Sequence, residues 1–212
     1  MYNNQCIERV DSIKYLGVLF DSKLSWNCHV DHVSSKVSKC IGIIRKIKYY
    51  LPPCTLQLLA NALVMPHFDY CSTVWSNCNM ENVNALQVLH NRLARTLLNA
   101  DIRTRIDDLM KSLNWVRLNE RWNFQLLVLV FKCLNGIAPS YLSSQFEFTH
   151  TAHSHGTRSQ TFNALIVPPW NTTYGKRTFH YRAAKSWNCL PTDVRQNFNS
   201  MSLSSFKNCI SS

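Results

Sequence analysis

From Val30 onward the apolar positions fall three and four residues apart: Val33, Val37, Cys40, Ile41, Ile44, Ile47 and Leu51. That spacing predicts a long amphipathic helix with a narrow apolar seam over residues 25–51. Ser25 is placed to cap it, and Asp31 stands in its first turns. Pro52-Pro53 ends it, because the ring and the missing N–H stop a helix. At 1.5 Å per residue such a helix would be roughly 40 Å long. Ahead of it, residues 13–20 are β-rich and close on Asp21-Ser22, which predicts a short strand and a turn.

The three-four pattern continues. A helix is expected from Thr55 to about residue 65, and a second from Pro66, a residue suited to a first helical turn, to about residue 76. A third spans 79–100, with Val83, Leu86, Leu89 or His90, Leu93 and Leu97 as its stripe. Residues 104–113 form a short helix. Residues 119–134 form a strongly apolar one, with Phe124, Leu127, Val128 and Phe131 facing inward, closed by Asn135-Gly136 and Pro139. Near residue 148 the pattern lapses. Residues 149–160 are polar and aperiodic and read as a loop. Residues 164–167 and 177–181 read as short strands, 183–188 as a short helix, and 202–210 as the closing segment. The fold class expected is mainly α: a short strand or hairpin over 1–24, a helical bundle over 25–147, and a small basic α+β region over 148–212.

Composition agrees with a packed, helical chain. Hydrophobic residues make up 46% of the 212, and glycine (5) and proline (7) are sparse. The net charge of +11 suggests a polyanionic partner, nucleic acid ahead of a membrane, or else simply a basic surface. No apolar run approaches the roughly 20 residues that span a bilayer. The nine cysteines are odd in number and scattered, and residues 1–10 lack the apolar stretch of a signal peptide. Free thiols without a disulfide partner are expected, in an intracellular protein of the nucleus, the cytoplasm or both.

The charge is patterned. His32, Lys39 and Lys46 recur every seven residues and share one row of the first helix, flanked by Lys36. Such a ridge can follow a phosphate backbone, or can be a solvated face. In the tail, Tyr174, Lys176, Arg177, His180, Tyr181 and Arg182 interleave rings and cations, which suits backbone contact and base stacking or an ordinary solvated surface.

Catalytic chemistry is sparse by contrast. Asp107 and Asp108 are the only adjacent carboxylates, and a helix sends them to different faces. Cys71 and Cys78 with His90 have the wrong spacing for zinc, and His150, His153 and His155 lack a completing ligand. No metal site, catalytic residue or resident cofactor is assigned. Phosphate-loop, dinucleotide and nucleophile-elbow motifs are absent.

One ordered series of residues carries more. Tyr15-Leu16-Gly17-Val18, Asp21, Leu24, Trp26, His29, Lys36 and Gly42 are followed by Leu63, Pro66, Tyr70, Val74-Trp75, Leu86-Gln87, Arg92 and Arg95. Leu113, Trp115, Arg121, Lys132, Gly136 and Ala138-Pro139 come next. Thr157-Arg158, Val167-Pro168, Lys176-Arg177, Phe179, Ala184, Trp187-Asn188, Leu190-Pro191 and Phe206-Lys207 complete it. The series resembles the segment after the catalytic palm in reverse transcriptases of non-LTR (LINE, jockey/CR1-like) retrotransposons. It covers nearly all of the chain.

The resemblance implies that Tyr15, Leu16 and Gly17 match a primer-grip hairpin, and that the first helix and bundle match a thumb clamping a template–primer duplex. The tail would match a C-terminal region without an assigned role. It also implies missing palm and fingers domains as partners, and magnesium as the parent polymerase's cofactor. The palm's paired aspartates have no counterpart here, so no reaction is expected of this chain alone. The leading expectation is a catalytically incomplete fragment of an RNA-directed DNA polymerase. It would bind RNA and DNA through Tyr15, Leu16, Gly17, Lys36, Lys39, Lys46, Lys176, Arg177 and Arg182. The alternative is a helical protein-interaction module from a domesticated or decaying retroelement, offering the exposed seam of its first helix.

Overall fold

Ser12–Tyr15 (β1) and Val18–Asp21 (β2) pair antiparallel, with Tyr15 opposite Val18 and Ser12 opposite Asp21. The turn between them is Leu16-Gly17, at φ 45° and 82°. A two-residue hairpin loop needs positive φ to match the twist of its strands, and glycine supplies it without a clash. Residues 13–20, expected as one strand, therefore fold back on themselves. In this computed structural model the described residues are 10–152 and 163–211. Cys6, His153, His155 and Thr157-Arg158 lie outside them.

The first long helix, α1 (Asn27–Ile47), begins two residues later than its pattern suggested. Ser25 is not its N-cap. Trp26 holds that position in the left-handed region, without a side-chain cap bond. The Asp21 carboxylate organises the entry by accepting N–H bonds from Lys23, Ser25 and Trp26 at 3.0, 2.9 and 2.7 Å. Burial acts to raise the Asp21 pKa, but these three donors outweigh it and hold the carboxyl below its ordinary value. At the far end the Tyr50 N–H closes a tight turn onto the Ile47 carbonyl, before Pro52. The helix is accordingly about 31 Å long.

Pro53–Leu63 (α2), Met65–Asp69 (α3) and Ser72–Trp75 (α4) follow. The single helix expected over 66–76 is broken in the middle, because Tyr70 is extended and Cys71 is left-handed. Met80–Leu98 (α5) is capped by the Asn79 side chain, which accepts from the Asn82 N–H at 2.9 Å, and ends on left-handed Asn99. Ile106–Leu113 (α6) completes this part. Asn27 pairs with Asn82 and Lys48 with Asn99, both at 2.8 Å, so α1 and α5 run parallel.

Val30, Val33, Val37, Ile41 and Ile44 of α1 are buried, as are Val83, Leu86, Leu93 and Leu97 of α5 and Leu56 and Ala60 of α2. The seam of α1 is thus covered within the chain, which removes the exposed seam on which a partner-binding role would rest. His90, rather than Leu89, joins the stripe of α5. It is fully buried, stacked on Trp115 at 5.1 Å and edge-on to Phe68.

Two compact units divide the chain, Met1–Asn119 and Glu120–Ser212. The division falls before residue 147 because the apolar residues of Leu118–Leu134 (α7) from Leu126 onward serve the second unit. Leu126, Leu127, Val130, Phe131 and Cys133 share a core with Phe146, Leu165, Trp187, Phe198 and Phe206. Phe124 and Val128, expected inward, are only half-buried, while Trp122, Leu126 and Val130 are buried instead. From Leu126 to Phe131 the helix is an unbroken apolar run, so its pattern did not fix which side would be covered.

Short helices follow at Ser140–Ser143 (α8), Thr149–Ala152 (α9), Thr173–Lys176 (α10), Phe179–Asn188 (α11) and Thr192–Asn197 (α12). A 3₁₀ turn at Phe198–Ser200 and Leu203–Ser211 (α13) close the described chain. The strand expected over 177–181 is instead the entry to α11, where helical spacing buries Ala183, Ala184 and Trp187 together. Of the strand expected over 164–167 there is one bridge, Leu165 to Phe148. On its other side Leu165 is matched by a side chain. Its N–H donates to Asn188 Oδ1, and its carbonyl accepts from Asn188 Nδ2, both at 2.8 Å. The Asn188 amide thus does the work of a neighbouring strand.

Candidate nucleic-acid interface

The Leu16-Gly17 turn projects Tyr15 and Leu16 outward, 62% and 72% exposed. It is held from behind by Tyr70, whose hydroxyl donates to the Leu16 carbonyl at 2.8 Å. Tyr70 is itself fixed, since its carbonyl accepts the indole N–H of fully buried Trp75 at 2.8 Å. A Cβ on Gly17 would stand 3.4 Å from Tyr70 Cε1. That is an ordinary contact distance, so what calls for glycine here is the φ of 82° rather than the approach of the ring.

Beside this junction lies a cleft of about 280 Å³, lined by Gly17, His29, His32, Val33, Lys36, Pro66, His67 and Tyr70. His29 belongs to the scaffold. It is buried, its Nδ1 accepts the Leu19 N–H at 3.3 Å, and its ring lies edge-on to Trp75. Burial, with His32 and Lys36 adding to it, lowers the His29 pKa to about 4. His32 and His67 are more open. Burial and then the Lys36 charge lower both, and Lys14, His67 and Lys39 add to the effect on His32. The charged neighbours that act on these rings are all cations.

Lys36, Lys39 and Lys46 are exposed and lie on the side of α1 away from its buried seam. At 100° per residue they span a face of about 80°, with Ile43, 54% exposed, between Lys39 and Lys46. The ridge opens at the cleft, where Lys36 is part of the wall, and runs toward Tyr49 and Tyr50, which are 79% and 84% exposed. Lys48 lies over the Tyr49 ring at 4.9 Å from its centroid. Exposed aromatic faces of this kind suit base stacking.

In the second unit Lys176 is exposed at the end of α10, and Arg177 lies over the Tyr174 ring at 5.8 Å. Thr172 caps α10 by accepting the Gly175 N–H at 3.1 Å. Gly175 is required there, because a Cβ would come within 2.7 Å of Trp170 Cβ. Arg182 is half-buried on α11. Of the nine residues expected to touch nucleic acid, Gly17 and Lys36 meet in one cleft, with Tyr15 and Leu16 at the adjoining turn. Lys39 and Lys46 continue from it, while Lys176, Arg177 and Arg182 belong to the other unit.

The acidic pair does not suit magnesium. Asp107 accepts from Arg117 at 2.8 Å, which lowers its pKa, and both aspartates are exposed. Among the described residues no group of three or more His, Cys, Asp or Glu is arranged to hold a metal ion. His150 stacks on Phe148, and Cys78 and His90 are buried. The eight cysteines among the described residues are free. No helix among the described residues is long and apolar enough to cross a membrane.

Sequence reasoning gave no role to His67, Tyr70, Tyr49 or Tyr50. The signal for Tyr70 was its place in the ordered series Leu63, Pro66, Tyr70, Val74-Trp75. For the two tyrosines it was an adjacent aromatic pair between the seam positions Ile47 and Leu51. No family model, curated protein or solved structure matches the chain.

Proposed function

We propose that the first unit binds the sugar–phosphate backbone of a template–primer duplex. On this reading the chain is the thumb and post-thumb part of a LINE-type RNA-directed DNA polymerase and carries out no reaction alone. The observation that supports it best is a continuous one. The tip of the Leu16-Gly17 hairpin, a cleft walled by Lys36 and three histidines, and the Lys36–Lys39–Lys46 ridge adjoin within the first unit. A ridge of that kind neutralises successive phosphates and releases their counterions, without reading bases. Exposed Tyr49 and Tyr50 at the end of the ridge would stack on unpaired bases. The basic segment around Lys176, Arg177 and Arg182 would supply further backbone contacts.

The test is a titration of the full chain with an RNA–DNA hybrid at several salt concentrations. Binding is expected at low ionic strength and should weaken steeply with salt. The Lys36→Ala, Lys39→Ala, Lys46→Ala variant should flatten the logarithmic salt dependence by roughly one unit per lysine. Absence of binding at low ionic strength would overturn the proposal. A second reading, a helical protein-interaction module, is favoured by the exposed Ile13 and Tyr15 on β1, the outer strand of the hairpin. It predicts a partner that survives Lys36→Glu, Lys39→Glu, Lys46→Glu, whereas nucleic-acid binding would not.

A further inference from the structure

We infer that the cleft beside the Leu16-Gly17 turn seats a phosphate group, and that filling it places protons on His32 and His67. This rests on the nucleic-acid reading for the source of the phosphate, a diester of the bound backbone, though not for the chemistry of the seat.

The walls carry donors and no carboxylate. His32 and Lys36 come from α1 and His67 from α3, with Gly17 leaving one side without a Cβ and the Tyr70 ring closing the edge. The Tyr70 hydroxyl is committed to Leu16, and His29 Nδ1 to Leu19. The groups left for a ligand are the Nε2–H of His29, the imidazoles of His32 and His67, and the Lys36 ammonium. Nε2 of His32 is shielded from solvent and has no hydrogen-bond partner, a ring nitrogen for which the fold supplies nothing.

The electrostatics point the same way. Lys14 on β1 and Lys36 and Lys39 on α1 act on His32 as positive charges, and His67 on α3 also opposes its protonation. Lys36 acts likewise on His67. Asp31 and Asp69, next to the two histidines in sequence, are not among the groups acting on them. Burial and repulsion keep both rings neutral at pH 7 while the cleft is empty of charge. A phosphate among the cations reverses the sign of that field and favours the imidazolium forms, each a donor at both nitrogens. Binding and proton uptake are then linked, so affinity rises as pH falls. A seat at the hairpin turn fixes one point of the backbone, from which the lysine ridge can follow.

The experiment uses the full chain at constant low ionic strength. The probes are an RNA–DNA hybrid, whose diesters do not titrate near neutrality, and inorganic phosphate. Between pH 7.5 and 6.0 hybrid affinity should rise by roughly three- to tenfold per pH unit, corresponding to net uptake of about one-half to one proton. His32→Gln with His67→Gln should abolish that slope while leaving the salt dependence from Lys39 and Lys46. Because the double variant perturbs a half-buried region, the imidazole resonances of the wild-type chain are also followed. Both pKa values should move upward with saturating hybrid. Inorganic phosphate producing the shifts while the hybrid does not would keep the phosphate seat but assign it to free phosphate and overturn the backbone source. Hybrid binding with unchanged slope and unshifted histidines would overturn the seat and leave the proposed function standing. No hybrid binding at any pH would instead remove the nucleic-acid reading.

Discussion

The Tyr70 hydroxyl donates a 2.8 Å hydrogen bond to the Leu16 carbonyl, joining residues 54 positions apart. One end of that bond is the tip of the β1–β2 hairpin, and the other is the break between α3 and α4. A two-stranded hairpin is marginal by itself in water, so this tether, with Val18 and Phe20 packed beneath, is what fixes the tip's orientation.

Tyr70→Phe removes the donor and keeps the ring. Because the bond is partly exposed, global stability should fall by less than about 1 kcal/mol. Hydrogen exchange should show the local effect, with the amides of β1 and β2 exchanging faster while those of α5 are unchanged. Equal protection in both proteins would mean that the ring contact alone holds the turn.

Two glycines should respond in opposite directions. Gly17 sits at φ 82°, a conformation a side-chain-bearing residue adopts only with strain, so Gly17→Ala should destabilise by about 1 kcal/mol. Gly42 lies inside exposed α1 with nothing within 4 Å of a built Cβ. Gly42→Ala should therefore stabilise by roughly 0.5–1 kcal/mol through helix propensity. Thermal or urea unfolding of the pair checks both signs.

His29 makes stability depend on pH. Its pKa is about 4 in the folded chain against 6.5 for an ordinary imidazole. The unfolded chain takes up this proton first. Stability is therefore complete above about pH 6.5, declines as pH falls toward about 4, and levels below that. The loss should be on the order of 2–3 kcal/mol. His29→Asn keeps an acceptor for the Leu19 N–H without a titrating ring, so urea midpoints from pH 7 to 4 should fall less steeply. His32 and His67, also lowered, add in the same direction and leave a residual slope.

Asn188 satisfies both backbone groups of Leu165. Asn188→Asp keeps the acceptor for the N–H but leaves the carbonyl opposite a carboxylate. It should cost about 1–3 kcal/mol and broaden the signals of the second unit. Asn188→Ala loses both bonds and should cost at least as much. An unchanged urea midpoint for either variant would show that water replaces the amide.

The helices were legible because they are written in repeated apolar positions. The seam of α1, the extent of α5 and the end of α7 before Gly136 follow from local spacing and stop signals. Less legible was whatever depends on a distant partner. Residues 177–181 carry β-prone side chains, yet they begin a helix because Ala183, Ala184 and Trp187 must face Phe198 and Phe206. Ser25 has the chemistry of a cap, but the better-placed carboxylate of Asp21 takes the N–H groups. The lysine ridge was visible as a heptad row, whereas the cleft at its head was not, because His67 and Tyr70 reach it from another helix.

The amino-acid order by itself determined a basic, mainly helical chain with a short β segment ahead of a long amphipathic helix, since periodicity, proline stops and charge are properties of neighbours along the chain. Only the tertiary structure decided that the seam of α1 is spent on α5 and α2, and that α7 works for the second unit. It also decided that three histidines gather with Lys36 beside Gly17. Burial and electrostatic field are sums over residues close in space, and no local pattern carries those sums.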